Sequence, residues 1–213
     1  MKSKSNNKRK IISNDIMVTR KEEIVKACEK LYKTMSFKDI TIKEIAKETS
    51  FTRPSIYNYF VTKEEIFLAL YEKEYIRWNE DLLKIVKSNK KMTKKAFAEK
   101  IALSLSKREQ LLKLMAMNNY DMEANSRLEC LVSFKRAYLS SIDNFSHILS
   151  LYDASLNKKE IDEIVYMFFP FMYALYPYTH VTKKQKIAME KVGHKWNENS
   201  IYKLVYIFII KVL

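Results

Sequence analysis

Glycine and proline are nearly missing from this chain, whose 213 residues include one glycine and three prolines. Hairpin turns depend heavily on glycine, so a fold built from antiparallel strands is disfavoured. Lysine, glutamate, leucine, isoleucine and methionine are abundant, and all of them suit helices. Because 47% of the residues are apolar, the chain can fill a hydrophobic core, and we expect an all-α fold.

Motifs for catalysis or metal binding are also missing. Cys28 and Cys130 lie far apart and form no metal-ligand spacing, so we expect reduced thiols. His147, His180 and His194 show no such spacing with each other or with the cysteines. No glycine-rich phosphate loop, HExxH, GxSxG or paired-carboxylate motif appears. The sequence therefore predicts no enzyme, no metal site and no cofactor.

No segment has the pattern expected of a membrane span or a secretory signal. The longest apolar run, residues 164–179, falls near the lower length limit for crossing a bilayer and contains two prolines and four tyrosines. We interpret it as a helix buried on all sides within the protein. The N-terminus is basic and polar, so we expect a cytoplasmic protein. The formal net charge of +14 adds modest support for a polyanionic partner.

Residues 41–67, TIKEIAKETSFTRPSIYNYFVTKEEIF, carry the most specific pattern in the chain. Thr41 and Glu44 predict a capped helix over about 41–48. Residues 49–51 then form a turn with Phe51 as an apolar plug, and Thr52 caps a second helix that tolerates Pro54 in its first turn. Two helices joined by a three-residue turn are typical of a helix-turn-helix motif.

This segment resembles the DNA-binding domain of TetR-type transcriptional regulators. The family pattern extends over more than twenty positions and includes the aromatic block YNYF followed by Lys63; Ser50 stands where the family usually has glycine. The matching positions are Thr41, Ile45, Ala46, Ser50, Phe51, Ser55, Ile56, Tyr57, Tyr59, Phe60, Lys63 and Glu64. The resemblance covers about residues 19–75 and implies that the second helix of the motif enters the major groove of double-stranded DNA.

The resemblance and the residue chemistry together predict the contacts with DNA. Phosphate contacts fix the register of the protein without reading sequence, whereas contacts with base edges read it. Arginine suits guanine and asparagine suits adenine. For phosphates we expect Thr41, Thr52, Tyr57, Tyr59 and Lys63; for bases we expect Lys43, Arg53, Ser55 and Asn58, with Pro54 contributing shape. The alternatives are that Tyr57 belongs to the core and that Lys43 and Arg53 are ordinary exposed charges.

The remaining pattern predicts a basic flexible arm over residues 1–18, a helix-turn-helix domain over 19–64 and a larger helical domain over 65–213. A polar boundary at 88–95 separates the long helix that ends near residue 86 from the next one, which Thr93 caps. The first helix of the chain is expected over about 19–35. Further helices are expected near 107–117, 122–150, 158–177, from Thr182 to about Gly193, and over 198–212.

Regulators of this type use the C-terminal region for homodimerisation and for binding a small inducer, and the resemblance implies both here. Candidate ligand contacts combine flexible apolar side chains with a few polar groups, although a role in the core is the favoured alternative for each of them. They are Met115, Asn119, Tyr120, Phe168, Met172 and Tyr176.

The resemblance implies a repressor released from a palindromic operator by an apolar inducer. The alternatives are a ligand-independent DNA-binding protein, or a helical adaptor or enzyme that retains the motif.

Overall fold

The structure is a computed structural model that describes the backbone of residues 2–88, 92–117 and 119–213. Side chains are described from residue 16 onward within these ranges, except at Asn119. The described residues form eleven α-helices and no strand, as the composition predicts. The helices are α1 Lys2–Tyr32, α2 Ile42–Lys47, α3 Arg53–Ile56, α4 Lys63–Lys87, α5 Lys94–Ser106, α6 Glu109–Met115, α7 Asn119–Ala124, α8 Leu128–Tyr152, α9 Lys158–Thr179, α10 Lys183–Lys191 and α11 Ile201–Val212.

The described chain divides into two compact units. Unit 1 comprises residues 1–71 and 120–134, and unit 2 comprises residues 72–119 and 135–213. The first division falls after Tyr71 rather than after residue 64, because the early turns of α4 bury Ile66 and Phe67 completely in unit 1.

Helix α1 begins earlier than the predicted start near residue 19. Its backbone is helical from Lys2, and the flexibility expected of residues 1–18 stays a prediction. No glycine or proline interrupts this stretch, and the helix continues through it. Met1 and the side chains of residues 2–15 lie outside the described residues.

Several predicted helix starts are confirmed by their caps. The Thr93, Thr182 and Asn157 side chains accept hydrogen bonds from the backbone N–H three residues later. At Asn157 the capping box is complete, because the Glu160 carboxylate also accepts the Asn157 N–H at 2.8 Å. The helix predicted over 122–150 is instead divided into α7 and α8, which are separated by residues 125–127.

The core of unit 1 joins α1, α2, α3 and α4. Ile24, Ile45, Ile56 and Phe67 are fully buried, and the Phe67 ring meets Tyr32 edge-on at a centroid distance of 5.1 Å. Burial of these side chains fixes α2 and α3 against α1 and α4, with the opposite face of α3 exposed.

The core of unit 2 is largely aromatic. Phe145 of α8 stacks on Phe168 of α9 at 4.4 Å, and Phe171 of α9 stacks on Phe208 of α11 at 4.3 Å. Offset stacking of this kind adds to the stabilisation from burial. These contacts place α9 between α8 and α11.

The prediction that residues 164–179 form a helix buried on all sides is wrong. They lie in α9, where Phe168 and Met172 are buried while Tyr166 is 84% and Tyr178 is 63% exposed. The segment is apolar on both faces, and within the described part of the chain only one of them is buried.

Candidate DNA interface

Helix α2 begins at the cap predicted for Thr41. The Thr41 hydroxyl oxygen accepts the Glu44 N–H at 3.3 Å, and the hydroxyl group donates to the Glu44 carboxylate. The hydrogen bond from Thr41, followed by one from Lys47, lowers the pKa of Glu44. Thr41 and Lys43 are exposed at this capped end of α2.

The turn between α2 and α3 is held by two side chains of α1. The Ser50 N–H donates to the Glu23 carboxylate at 2.7 Å, which satisfies a backbone donor in the turn. Phe51 is half-buried as the predicted plug, and the Arg20 guanidinium lies 5.5 Å from its ring centroid. Sequence reasoning missed Glu23 and Arg20, because nothing in the linear pattern links α1 to the turn.

Helix α3 is shorter than predicted and starts differently. It spans only Arg53–Ile56, with Pro54 in the first turn. The predicted Thr52 cap is wrong, because the Thr52 hydroxyl lies 2.9 Å from the Ser55 hydroxyl and forms no side-chain capping bond. The Thr52 carbonyl instead accepts the Ser55 N–H at 2.9 Å.

The outward side of α3 and of the turn after it carries most of the residues predicted to read bases. Arg53, Pro54 and Asn58 are exposed there, while Ser55 is half-buried against Thr52. An Arg53 guanidinium N–H donates to the Tyr57 hydroxyl at 3.2 Å. Tyr57 is 42% exposed, so its ring is not part of the core. The arrangement presents a cation, an amide and a phenol on one surface.

Tyr59 and Lys63, like the other residues predicted to bind phosphates, also make bonds within the protein. The Tyr59 hydroxyl accepts from Arg20 at 3.3 Å. The Lys63 ammonium donates to the Phe37 carbonyl at 2.9 Å and to the Ile40 carbonyl at 3.3 Å. An ammonium group has three donors, so Lys63 keeps one for a phosphate. The DNA contacts themselves stay predictions.

The fold and this surface agree with the family comparison. Residues 24–70 match the family described as bacterial regulatory proteins, tetR family, and residues 72–197 match a tetracyclin repressor-like C-terminal domain. The chain belongs to the TetR family. No curated protein gives a significant match to the chain. The two domains identify a DNA-binding regulator of the TetR family with a helix-turn-helix motif in its N-terminal part.

All six residues predicted to bind a ligand lie in the part of this TetR-family chain that matches the C-terminal domain. Met115, Phe168 and Met172 are buried in unit 2, where Phe168 stacks on Phe145. The Tyr176 ring stacks on His180 at 4.2 Å, and burial raises the pKa of Tyr176, with Glu109 adding to the shift. Apolar periodicity cannot separate core from pocket lining, so the ligand contacts stay predictions.

The other two residues predicted to bind a ligand, Asn119 and Tyr120, are the first two residues of α7. Tyr120 is 84% exposed, and the side chain of Asn119 lies outside the described residues.

A concavity on the surface of α9 has a volume of about 740 Å³ and is lined by residues of that one helix, Lys158, Lys159, Asp162, Glu163, Tyr166 and Met167. It is open to solvent and contains none of the residues predicted to bind a ligand.

No group of His, Cys, Asp and Glu side chains in the described part of the chain could hold a metal ion. Within the same part, every helix is too short or too polar to cross a membrane.

Proposed function

We propose that this chain is a homodimeric transcriptional repressor that binds a palindromic operator and is released by a small, largely apolar inducer. The observation that carries the proposal is the exposed surface of α3 and the turn after it, with Arg53, Pro54, Tyr57 and Asn58 directed away from the core. Side chains that are exposed on a recognition helix are free to meet base edges and phosphates.

Each polar group on this surface has a distinct proposed role. Arg53 donates to the O6 and N7 atoms of guanine, and Asn58 pairs with adenine. Tyr57, Thr41 and Thr52 bind phosphates and set the register. The Arg53–Tyr57 hydrogen bond supports this assignment, because it restricts the arginine before it meets DNA.

The homodimer is proposed to form through the exposed face of α9. This face bears Tyr166, Met167 and Tyr178, which are 84%, 49% and 63% exposed. Lys159 and Asp162, of opposite charge, are exposed near its first turns. A two-fold interface must be complementary to itself, and a surface with an apolar centre and both signs of charge meets that condition. Two copies would present recognition helices to half-sites roughly 34–36 Å apart.

The inducer is proposed to act by binding one conformation of the C-terminal domain better than another. A ligand shifts the population only as far as its affinities for the two states differ. Entry among Met115, Phe168 and Met172 requires the core of unit 2 to open, and the flexible methionine side chains favour such repacking. Because the chromosome is its target, the protein is proposed to act in the cytoplasm.

The experiment that tests the DNA-binding proposal is genome-wide mapping of binding, followed by gel shifts on the recovered site. Arg53→Ala and Tyr57→Ala should weaken binding to that site, whereas the matched control Lys184→Ala removes one charge from the exposed surface of α10. Wild-type protein that prefers no duplex, or variants that bind as tightly as wild type, would contradict the proposal.

The dimer and the inducer have separate tests. Tyr166→Lys should yield monomers in sedimentation, because it places a cation at the centre of the proposed α9 interface. A thermal-shift screen of apolar compounds should find one that also weakens operator binding. Operator binding that is insensitive to every stabilising compound would favour the ligand-independent alternative.

A further inference from the structure

Glu65 is a buried carboxylate in the first turn of α4, with 1% of its side chain exposed. It accepts two hydrogen bonds from the Arg127 guanidinium, at 2.7 and 2.9 Å. It also accepts the backbone N–H groups of Val61 at 2.8 Å and of Arg127 at 3.0 Å. A buried charge is tolerated only when it is paired and hydrogen-bonded, and Glu65 meets both conditions through Arg127.

A second set of bonds joins the same two segments of unit 1. An Arg127 guanidinium N–H donates to the Tyr59 carbonyl at 3.3 Å. The Thr62 hydroxyl donates to the Asn125 carbonyl at 2.8 Å. The connection between α7 and α8 is thereby bonded to residues 59–65, although the two segments lie more than sixty positions apart in the sequence.

The segment held in this way follows directly from the recognition helix. The Tyr59 and Phe60 N–H groups donate to the Ile56 carbonyl at 2.9 and 3.1 Å, so they continue the bonding of α3. Ile56 is fully buried and ends α3. A shift of residues 59–61 would therefore be passed to the end of α3 through backbone bonds.

The ionisation of Glu65 and Arg127 favours an ion pair that persists at neutral pH. Burial alone would raise the pKa of Glu65, but the hydrogen bonds from Arg127 and from the two backbone N–H groups outweigh it, so this pKa is lowered. The hydrogen bonds that its guanidinium makes with the Glu65 carboxylate raise the pKa of Arg127. Both groups are charged near neutral pH.

We propose that Arg127 is a positioning residue for DNA recognition, which fixes the course of residues 59–62 immediately after α3 through Glu65 and the Tyr59 carbonyl. This inference rests on the proposed function. Lysine cannot replace Arg127, because its single ammonium cannot span both carboxylate oxygens and the Tyr59 carbonyl with the planar arrangement of a guanidinium.

The test compares full-length Arg127→Lys and Glu65→Gln with wild type on the operator recovered by genome-wide mapping and on a scrambled duplex of equal length. Glu129→Gln is the matched control, because Glu129 also pairs with Arg127, at 3.4 Å, but its side chain is 69% exposed. Circular dichroism fixes a temperature at which every variant is folded, so that affinity is measured on folded protein only. If Glu65→Gln does not fold, Arg127→Lys decides.

We expect a loss of roughly tenfold in operator affinity for Arg127→Lys and Glu65→Gln, which corresponds to about 1.4 kcal/mol. Affinity for the scrambled duplex, and the dependence of operator affinity on salt, should match those of wild type. Glu129→Gln should bind the operator within about twofold of wild type, since exposed ion pairs contribute little.

Three results would overturn the inference. If Arg127→Lys and Glu65→Gln lower thermal stability but the folded proteins bind the operator like wild type, Arg127 serves folding alone. Arg127→Ala, measured alongside these variants, tests for a direct phosphate contact: if it reduces the salt slope by about 1 while Glu65→Gln leaves affinity unchanged, Arg127 contacts a phosphate directly. Wild-type protein without preference for any duplex would refute the proposed function together with this inference. The first two results, in contrast, would leave the proposed function intact.

Discussion

Replacement of Lys63 by methionine tests whether this residue stabilises the DNA-binding unit, contacts DNA, or does both. The Lys63 ammonium donates to the Phe37 and Ile40 carbonyls and lies 4.1 Å from the Phe37 ring centroid. These interactions hold the corner between α1 and α2 against the start of α4. Methionine keeps most of the apolar stem and removes both hydrogen bonds and the cation–π interaction.

The expected loss of stability follows from those interactions. A hydrogen bond to a charged group contributes about 1.5–3 kcal/mol, and an exposed cation–π pair about 0.5–1 kcal/mol. The bond to Ile40 is long at 3.3 Å, and Lys63 is half-exposed, so water replaces part of this stabilisation in the variant. We expect Lys63→Met to lower the free energy of unfolding by about 2–3 kcal/mol. In a chain of this size that corresponds to roughly 4–12 °C in Tm.

Thermal unfolding and operator binding at several salt concentrations measure the two roles separately. Lys184→Met is the matched control, because Lys184 is exposed on α10 outside the predicted DNA contacts, and its stability should stay within about 0.5 kcal/mol of wild type. If the third donor of Lys63 reaches a phosphate, the salt slope should fall by about 0.9 for each phosphate that the variant no longer neutralises. Equal Tm values for Lys63→Met and wild type would refute the structural role.

Three further predictions concern caps, pH and thiols. Asn157→Ala removes the capping box of α9 and should cost about 1 kcal/mol in urea unfolding, and an unchanged midpoint would contradict the cap. Because the folded-state pKa of Glu65 is lowered, its contribution to stability is present above its unfolded pKa of about 4.3 and is lost as pH falls through the folded value. In thermal melts from pH 7 to pH 3, Glu65→Gln should therefore lose less stability on acidification than wild type. Parallel curves of Tm against pH for the two proteins would refute the pairing. Burial raises the pKa of Cys28, which is fully buried, and that of Cys130, which is half-buried. A thiol reagent at neutral pH should therefore label native Cys130 slowly and Cys28 only after unfolding, so rapid labelling of Cys28 would show that α1 opens.

Local chemistry made most helices predictable. A threonine or asparagine side chain that precedes an amphipathic helix accepts a hydrogen bond from the backbone N–H three residues later, as at Thr93, Asn157 and Thr182. Such caps can be predicted because both partners are close together in the sequence. Thr52 failed as a cap because a second hydroxyl, that of Ser55, competed for it within the same turn. The break between α7 and α8 was missed, since no glycine or proline marks it.

The DNA surface was predictable to the extent that exposure follows from helical periodicity. Arg53, Asn58 and Lys43 are exposed as the motif implies. The partners that hold the motif were not predictable, because Glu23 and Arg20 of α1 contact Ser50 and Tyr59, which lie in turns far away in the sequence. The apolar stripes on α9 were ambiguous for a different reason, since side chains in a core and side chains that line a pocket recur with the same helical periodicity.

The burial of Glu65 explains why its partner Arg127 was not predictable from neighbouring residues. Glu65 occupies a position of α4 that is buried together with Ile66, so a carboxylate there requires a cation and donors from elsewhere. The partner is Arg127, which falls within residues 72–197, matched by the C-terminal domain, although its side chain belongs to unit 1. A DNA-binding fragment that ended at Tyr71 would keep Glu65 and lose its guanidinium. The DNA-binding unit is therefore complete only when the connection between α7 and α8 is present.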